Sequence, residues 1–215
     1  MFITFEGIDG CGKSTQVRKL QERILTDLRR EVVLVRDPGN TAISEAVRTI
    51  LLDKAHHSMS HRTELLLYSA ARAQLVDIHI RPALERGAIV ISDRFIDSTV
   101  AYQGFGRGIN LADIDAANHV ATGGLVPHCT LFLHIALEEA KLRCSEKTAD
   151  RIESAGDDFF ERVITGYKHL AQTQAHRVHL VQAQQSVLAL HEEIWGIVES
   201  TLVHGKISSF VAQTL

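Results

Sequence analysis

One short segment near the amino terminus constrains this chain more than any other feature. Residues 7–14 read Gly-Ile-Asp-Gly-Cys-Gly-Lys-Ser and fit the pattern G-x-x-x-x-G-K-[ST]. The apolar run 2–6 precedes this segment and is typical of a buried strand, while a helical pattern begins near Lys13. A strand, a glycine-rich turn and a helix in that order predict a phosphate-binding loop, or P-loop, rather than a simple connection.

The residue types in this segment explain how it could hold a nucleotide. Glycine at positions 7, 10 and 12 lets the backbone curl so that successive N–H groups point at phosphate oxygens, and the following helix presents its positive end to the same anion. Lys13, which we expect to be exposed in the empty loop, would bridge the β- and γ-phosphates of ATP, and the hydroxyl of Ser14 would bind Mg²⁺. The predicted ATP contacts here are Gly7, Ile8, Asp9, Gly10, Cys11, Gly12, Lys13 and Ser14.

Apolar runs of strand length alternate with longer stretches of helical period along the chain. We predict strands at 2–6, 31–36, 88–92, 130–135 and 177–181, and helices at 14–30, 44–52, 62–85 and 187–203. This alternation is typical of an α/β fold, in which helices cover both faces of a parallel sheet. We therefore expect one domain over residues 1–203, with a mobile polar lid at about 145–156, and a tail at 204–215 that has no clear period.

Composition and charge exclude several classes of partner. The net charge of −3 argues against a broad surface for nucleic acid or for anionic membranes. Three cysteines without paired spacing fit a reducing compartment better than a disulfide framework. Because no apolar run is long enough to span a membrane, we expect a cytoplasmic protein that binds neither membranes nor nucleic acid.

An acidic residue ends the most strand-like run of the chain. Asp93 follows the run 88–92, and open α/β sheets bind their ligands at the carboxyl ends of strands. We interpret Asp93 as a carboxylate that helps to hold Mg²⁺ beside the P-loop, and the alternative is an ordinary helix N-cap. The neighbouring Arg94 is predicted to clamp a phosphate, and the alternative is a surface ion pair with Asp97.

A tyrosine and an arginine in the predicted helix 62–85 form a second candidate site. Tyr68 and Arg72 are four positions apart and therefore share one face of the helix. They could offer an aromatic ring and a guanidinium to a nucleic-acid base. The alternative is a ring at the edge of the core and a guanidinium in solvent.

Taken together, these residues and further motifs resemble the thymidylate kinase family over nearly the whole chain. The matching motifs are Phe5-Glu-Gly-Ile-Asp9, Gly12-Lys-Ser-Thr15, Arg36-Asp-Pro-Gly39, Glu64-Leu-Leu-Leu-Tyr-Ser-Ala-Ala-Arg72, Asp93-Arg-Phe95, Ser98, Ala101-Tyr-Gln-Gly104 and Asp150-Arg-Ile-Glu153. The resemblance implies a P-loop NTP-binding fold of the nucleoside monophosphate kinase type, with a five-stranded parallel sheet flanked by helices, usually as a homodimer. It also implies transfer of the ATP γ-phosphoryl group to dTMP in the presence of Mg²⁺.

The resemblance assigns residues to the nucleoside of dTMP. Tyr68 would stack on thymine, while Arg72 and Gln103 would contact polar edges of the base. Asp9 would bind the 3′-hydroxyl of the sugar, and Tyr102 would crowd the 2′ carbon and so disfavour ribonucleotides.

The resemblance also assigns residues to the phosphates. Arg48 and Arg94 would hold the phosphate of dTMP, and Thr15 and Arg143 would join the ATP contacts. The implied dTMP contacts are Asp9, Arg48, Tyr68, Arg72, Arg94, Ser98, Tyr102 and Gln103. Because the acceptor phosphate is already anionic, no strong general base is required, and positioning and charge neutralisation would do the catalysis.

One catalytic cation is expected to come from the lid. Some thymidylate kinases carry an arginine inside the P-loop and others use basic lid residues, and this chain has Gly10 at the P-loop position. Arg151 therefore completes the predicted catalytic set of Lys13, Arg94 and Arg151, and its removal should lower turnover with little effect on stability. In the alternative, Arg151 pairs with adjacent carboxylates on a solvated segment, and Lys147 or Arg143 supplies the catalytic cation.

Three positions depart from the family pattern. Asp37 and Asn40 stand where the family usually has Glu and Gly, and His134 stands where an Asp is common, so we assign His134 no role.

Two other functions compete with the proposed one. Another P-loop nucleoside or nucleotide kinase would keep the loop and the lid, but it would not need Tyr68, Arg72, Tyr102 and Gln103. A nucleotide-binding switch would hydrolyse ATP without any acceptor.

Overall fold

Five strands form one sheet at the centre of the molecule. The structure is a computed structural model that describes residues 1–144 and 149–211, with side chains described up to residue 203. The strands are β1 (Phe2–Glu6), β2 (Val32–Arg36), β3 (Ile89–Asp93), β4 (Cys129–His134) and β5 (Val178–Gln182). They lie in the order β2-β3-β1-β4-β5, and every neighbouring pair is parallel. The predicted five-stranded parallel sheet is therefore confirmed, and each strand lies within one residue of its predicted bounds.

Helices connect the strands and cover the sheet. They are α1 (Lys13–Arg23), α2 (Ala42–Leu52), α3 (His61–Leu75), α4 (Arg81–Glu85), α5 (Ile96–Thr99), α6 (Leu111–Thr122), α7 (Leu137–Cys144), α8 (Asp157–Thr173) and α9 (Val187–Val211). Wider π-type turns at Ile24–Leu28, Val76–Ile80 and Val100–Gly106 extend α1, α3 and α5, and short 3₁₀ turns occur at Lys54–His56 and Glu153–Ala155. Within the described residues, no helix is long and apolar enough to cross a membrane.

Two helices differ in detail from their predictions. The predicted helix 62–85 is continuous from α3 to α4, and Pro82 lies in the first turn of α4, after the π-type turn Val76–Ile80. Proline has no N–H to donate into the preceding turn, and the helix widens just before it instead of breaking. The tail predicted without a clear period from residue 204 is helical as far as Val211, and residues 212–215 lie outside the described part of the chain.

The three central strands, β1, β3 and β4, are buried on both faces, which is why their sequences read as continuous apolar runs. Successive residues of β1 point to opposite faces: Phe2 packs in one core cluster, and Ile3 and Phe5 pack in the other. In β3, Val90 packs in the same core cluster as Phe2, and Ile91 packs in the same core cluster as Phe5. The sheet is therefore a rigid layer between two cores, and its edge at the carboxyl ends of the strands is free to carry a site.

That edge brings distant parts of the sequence together. β1 is central and leads directly into the P-loop, and Phe5 of β1 pairs with Asp93 of β3. Arg36, at the end of β2, pairs with Asp93 of β3. On the other side, His134 ends β4, where its Nδ1 atom lies 3.0 Å from Gln182 Oε1 of β5.

Candidate active site

The P-loop has the curled backbone that its glycines predict. Gly7, Gly10 and Gly12 have φ angles of +132°, +83° and +96°, a region that residues with a Cβ atom rarely adopt. A Cβ atom at Gly7 would also lie 2.6 Å from the carbonyl oxygen of Leu133. Helix α1 begins next to Gly12 without a side-chain cap, so its first N–H groups are available to an anion.

The side chain of Lys13 folds back onto the loop. Its Nζ atom donates hydrogen bonds to the carbonyl oxygens of Gly7 at 3.0 Å and Ile8 at 3.2 Å, and it lies 3.5 Å from Asp9 Oδ1. Only 6% of the residue is exposed, so our expectation of an exposed lysine was wrong. An ammonium group needs acceptors, and the curled loop supplies carbonyl oxygens within reach.

Two side chains of the loop point into the core. Cys11 is 0% and Ile8 is 3% exposed, and both belong to a core cluster. A nucleotide in the cavity could therefore meet these residues through their backbone N–H groups, while the exposed Ser14 and Thr15 remain accessible at the start of α1.

Asp93 lies at the end of β3 beside the P-loop. The N-cap of α5 is Phe95, so the alternative reading of Asp93 as a helix cap was wrong. Asp93 Oδ1 is buried and accepts no hydrogen bond from any described residue, and Asp93 and Ser14 line the same cavity. Mg²⁺ is usually held by one or two protein oxygens together with phosphates and water, and this pair of residues fits such an ion.

Arg94 pairs with the P-loop. Its Nη2 atom lies 2.7 Å from Asp9 Oδ1, and its guanidinium carbon lies 5.1 Å from the ring centre of Tyr102. The alternative ion pair with Asp97 was wrong, because Asp97 is buried and pairs with Arg177 at 2.7 Å. A buried carboxylate needs hydrogen bonds or a charged partner, and α5 turns Asp97 inward, where Arg177 pairs with it.

Two carboxyl groups meet at the cavity. Burial disfavours ionisation of Asp9, but the positive charges of Arg94 and Lys13 outweigh it and hold the pKa of Asp9 well below its usual range. Glu153 hydrogen-bonds to Asp9, and burial raises the pKa of Glu153. Of the two carboxyl groups, Glu153 therefore binds a proton more readily than Asp9.

The predicted base contacts lie on α3 and on the turn after α5. Arg72 is buried, which excludes the alternative of a guanidinium in solvent. Its Nη1 atom donates to Asn118 Oδ1 at 2.8 Å and its Nη2 atom to the carbonyl oxygen of Phe95 at 3.1 Å, while Nε pairs with Asp37. Three acceptors from different elements thus fix the orientation of Arg72.

Gln103 and the lid-side Arg151 share one carboxylate. Gln103 Nε2 donates to Glu64 Oε1 at 2.8 Å, Arg151 Nη1 lies 2.7 Å from Glu64 Oε2, and Arg107 also pairs with Glu64. Arg151 Nε donates to the carbonyl oxygen of Leu51 at 2.7 Å. The side chain of Arg151 is 8% exposed, so it does not lie on a solvated segment, and its removal must affect packing.

Of the predicted lid cations, Arg143 is the one that the structure describes at the cavity. Its Nη1 atom lies 3.4 Å from the carbonyl oxygen of Gly10, and Lys147 lies outside the described residues. A Cβ atom at Gly10 would lie 2.6 Å from the carbonyl oxygen of Ala140. An arginine inside this P-loop would therefore require α7 to move.

These elements enclose one cavity of about 530 Å³. Most of the predicted site residues line it: Asp9, Gly10, Gly12, Lys13, Ser14, Thr15, Arg48, Tyr68, Arg72, Asp93, Arg94, Ser98, Tyr102, Gln103 and Arg143. Gly7, Ile8, Cys11 and Arg151 are not among its lining residues. The structure thus brings the P-loop and the predicted dTMP set to a single space.

A profile of the thymidylate kinase family matches residues 5–194 of the chain. The chain belongs to the thymidylate kinase family. Thymidylate kinases from Desulforudis audaxviator and Caldanaerobacter subterraneus are 46% and 43% identical to it over 202 and 206 residues, which is 94% and 96% of this chain and 91% and 98% of theirs. The crystal structure of thymidylate kinase from Ehrlichia chaffeensis superposes with a TM-score of 0.75 at 32% identity and covers 92% of this chain and 98% of that one.

Sequence reasoning missed several residues that support this thymidylate kinase site. Asp37, Asn118 and Glu64 hold predicted contact residues, and Glu6 lies beneath Arg94. Glu6 had one signal, because it is an acidic residue at the end of an otherwise apolar strand. The sequence carried no such signal for Asn118, since its role depends on Arg72, which is 46 positions away.

Proposed function

We propose that this thymidylate kinase transfers the γ-phosphoryl group of ATP to dTMP and releases dTDP and ADP. One observation carries the proposal: the P-loop and the set Tyr68, Arg72, Tyr102 and Gln103 line the same cavity. A rival kinase would not need that set, and a nucleotide switch would not need an acceptor pocket. The family membership and the extent of the similarity support the same function.

Catalysis in this site would rest on positioning and on charge. Backbone N–H groups of the P-loop and Lys13 would hold the ATP phosphates, and Arg94 and Arg48 would hold the phosphate of dTMP. Mg²⁺, held through Ser14 and Asp93, would neutralise charge on the transferred group. Asp9 and Tyr102 would contact the sugar of dTMP, and Ser98, which lies beside Arg94, would complete the dTMP contacts.

A lid cation would complete this arrangement. Arg143 faces the cavity in the structure, whereas Arg151 would reach the phosphates only after its contact with Glu64 breaks. We therefore propose that the lid supplies the catalytic cation, and that substitutions at the two arginines will show which one acts.

The protein would work in the cytoplasm as a homodimer built on its helices. Apolar side chains on α2, α3 and α6 support the second part of this proposal: Ile43, Leu66 and Val120 are 56%, 61% and 82% exposed. Helix α3 packs against both α2 and α6, so these helices are neighbours.

The proposal is tested by a coupled assay of ADP release. The assay compares dTMP with dUMP, the ribonucleotide of thymine, dGMP and water as acceptors. We expect dTMP to be the best acceptor and water alone to give little turnover. Equal turnover with water would indicate the ATPase alternative, and a preference for dGMP would indicate another kinase.

Lys13→Ala is the matched inactive control for this assay. Loss of one charge-stabilising group should lower turnover at least about 100-fold. Calorimetry would establish that the variant is folded. A folded Lys13→Ala protein with near-normal turnover would contradict the role of the P-loop.

A further inference from the structure

A buried carboxylate lies directly beneath the acceptor side of the site. Glu6 ends β1 just before the P-loop and is 0% exposed. Glu6 has no direct role in the proposed binding of ATP, dTMP or Mg²⁺. A carboxyl group in such a place must be hydrogen-bonded, and an apolar residue would avoid the penalty of burying it.

The partners of Glu6 come from three separate elements. Oε1 accepts a hydrogen bond from the backbone N–H of Phe95 at 2.8 Å. Oε2 accepts from the hydroxyls of Ser98 at 2.5 Å and Tyr167 at 2.9 Å. Glu6 therefore joins β1 to the turn after β3, to α5 and to α8.

All three partners of Glu6 touch or adjoin Arg94. Phe95 is the next residue, and Arg94 itself has a φ of +71°, an unfavourable conformation that neighbouring contacts must maintain. The hydroxyls of Ser98 and Tyr167 each lie 3.4 Å from Arg94 Nη1. Glu6 thus constrains Arg94 through both its main chain and its side chain.

The direction of these hydrogen bonds matters. When ionised Glu6 accepts the hydroxyl protons, lone pairs on the hydroxyl oxygens can face the guanidinium of Arg94. An amide or a protonated carboxyl at position 6 would donate to one hydroxyl and turn its proton toward Arg94. Asp97 does not replace Glu6 in this role, because Arg177 and Thr130 engage it.

We propose that Glu6 is a positioning residue for phosphoryl transfer, which together with Tyr167 holds Arg94 in the orientation that binds the acceptor phosphate. The inference rests on the proposed function only in placing the phosphate of dTMP at Arg94. It predicts that loss of Glu6 weakens the binding of the acceptor's phosphate group and leaves the binding of its nucleoside unchanged.

The test compares the binding of dTMP with that of thymidine, which lacks the phosphate. Calorimetric titration at about pH 8, which is above the raised pKa of Glu6 of about 7, would use the parent protein and Glu6→Gln. We expect the Kd of dTMP to rise about 10-fold in the variant and the Kd values of thymidine and ATP to change less than about 2-fold. In steady state, KM for dTMP should rise while KM for ATP stays constant.

Two further variants keep the test decisive. Tyr167→Phe keeps the ring that stacks on Phe132 at 4.8 Å and removes the hydroxyl, so it should weaken dTMP binding in the same selective way even if Glu6→Gln does not fold. Thr4→Val is the control, because it removes a buried hydrogen bond from the same strand, to Thr130, without contact to Arg94. It should leave the affinity for dTMP unchanged.

Three outcomes would overturn the inference. An equal loss of thymidine and dTMP affinity would show that Glu6 and Tyr167 support only the fold. Unchanged dTMP affinity in folded Glu6→Gln or Tyr167→Phe would show that Arg94 needs neither group. If the parent protein itself failed to bind dTMP, the proposed function would fall first and this inference with it.

Discussion

At the scale of single residues, protein acceptors already orient the cations of the site. Loop carbonyls hold Lys13, Asp9 holds Arg94, and Asp37, Asn118 and a carbonyl oxygen hold Arg72. A cation that is fixed in advance needs little reorganisation when charge develops on a transferred group. Residues that hold these cations should therefore influence activity even when they do not touch a substrate.

Substitutions at Tyr102 would test how the site distinguishes deoxyribose from ribose. Its ring is 9% exposed, lines the cavity and is braced by the rings of Phe159 and Phe160 at 6.0 and 6.4 Å. In the proposed site, such a braced ring would exclude a 2′-hydroxyl by its bulk. Tyr102→Ala should narrow the ratio of kcat/KM between dTMP and its ribonucleotide about 10-fold or more, whereas Tyr102→Phe should preserve the ratio. If Tyr102→Phe lost the discrimination, a hydrogen bond from the hydroxyl would be responsible.

Glu6 should make stability depend on pH. Burial, with the charge of Asp97 as a smaller contribution, raises the pKa of Glu6 to about 7 from its ordinary 4.5. The folded state binds a proton on Glu6 more tightly than the unfolded state does, so protonation of Glu6 stabilises the fold. This contribution to stability is complete below about pH 4.5 and is lost as the pH rises through 7. Denaturant unfolding should show the parent losing up to about 3 kcal/mol relative to Glu6→Gln over this window. If the free energies of unfolding of the two proteins changed with pH in the same way, this account would be excluded.

At the scale of elements, the part of the predicted lid that the structure describes, residues 149–156, is attached to the body of the molecule. The backbone N–H of Arg151 donates to the carbonyl oxygen of Leu52 at the end of α2, and its side chain pairs with Glu64 of α3. Helix α7, which precedes the lid, lies against Gly10 of the P-loop and carries Arg143. The two arginines on either side of residues 145–148 thus stand in different environments.

Substitution of these two arginines should separate structure from catalysis. Arg151→Ala should lower the free energy of unfolding by about 1–3 kcal/mol, because it removes one partner of a buried carboxylate that retains Arg107. Arg143→Ala should leave the Tm nearly unchanged and lower kcat by about 100-fold or more if it supplies the lid cation. Measurements of kcat and Tm on both variants decide the matter. A large loss of kcat in Arg151→Ala with a normal Tm would assign the cation to Arg151.

Predictions at this scale succeeded where the signal was local. Strands were predicted within one residue because β1, β3 and β4 are buried on both faces and read as apolar runs. The end of α9 was placed too early, since the residues after 203 show no amphipathic period although the helix continues to Val211.

At the scale of the whole molecule, the proposed dimer offers a direct test. Leu66→Glu places a charge on the exposed face of α3 and should shift the protein from dimer to monomer in sedimentation velocity. Leu188→Glu is the matched control, because Leu188 is similarly exposed, at 65% against 61%, but lies on α9. A monomeric parent, or an equal effect of both substitutions, would contradict a dimer built on α2, α3 and α6.

The sequence alone determined the P-loop, the parallel sheet and most of the residues that line the cavity. These features depend on short patterns: glycine spacing that permits positive φ angles, apolar runs of strand length, and polar residues that end them. Asp93 could be placed beside the P-loop because carboxyl ends of parallel strands share one edge. The resemblance to thymidylate kinases added the dTMP set, again from short motifs.

Only the tertiary structure decided which charged groups meet. Glu6 and Tyr167 are 161 positions apart, Arg94 and Asp9 are 85 apart, and Arg151 turns to Glu64 rather than to a neighbour in sequence. A buried charge takes whichever partner the packing of helices on the sheet brings within hydrogen-bond distance, and no local pattern encodes that distance. For this reason the sequence names the residues of the site, while the fold determines how each of them is held.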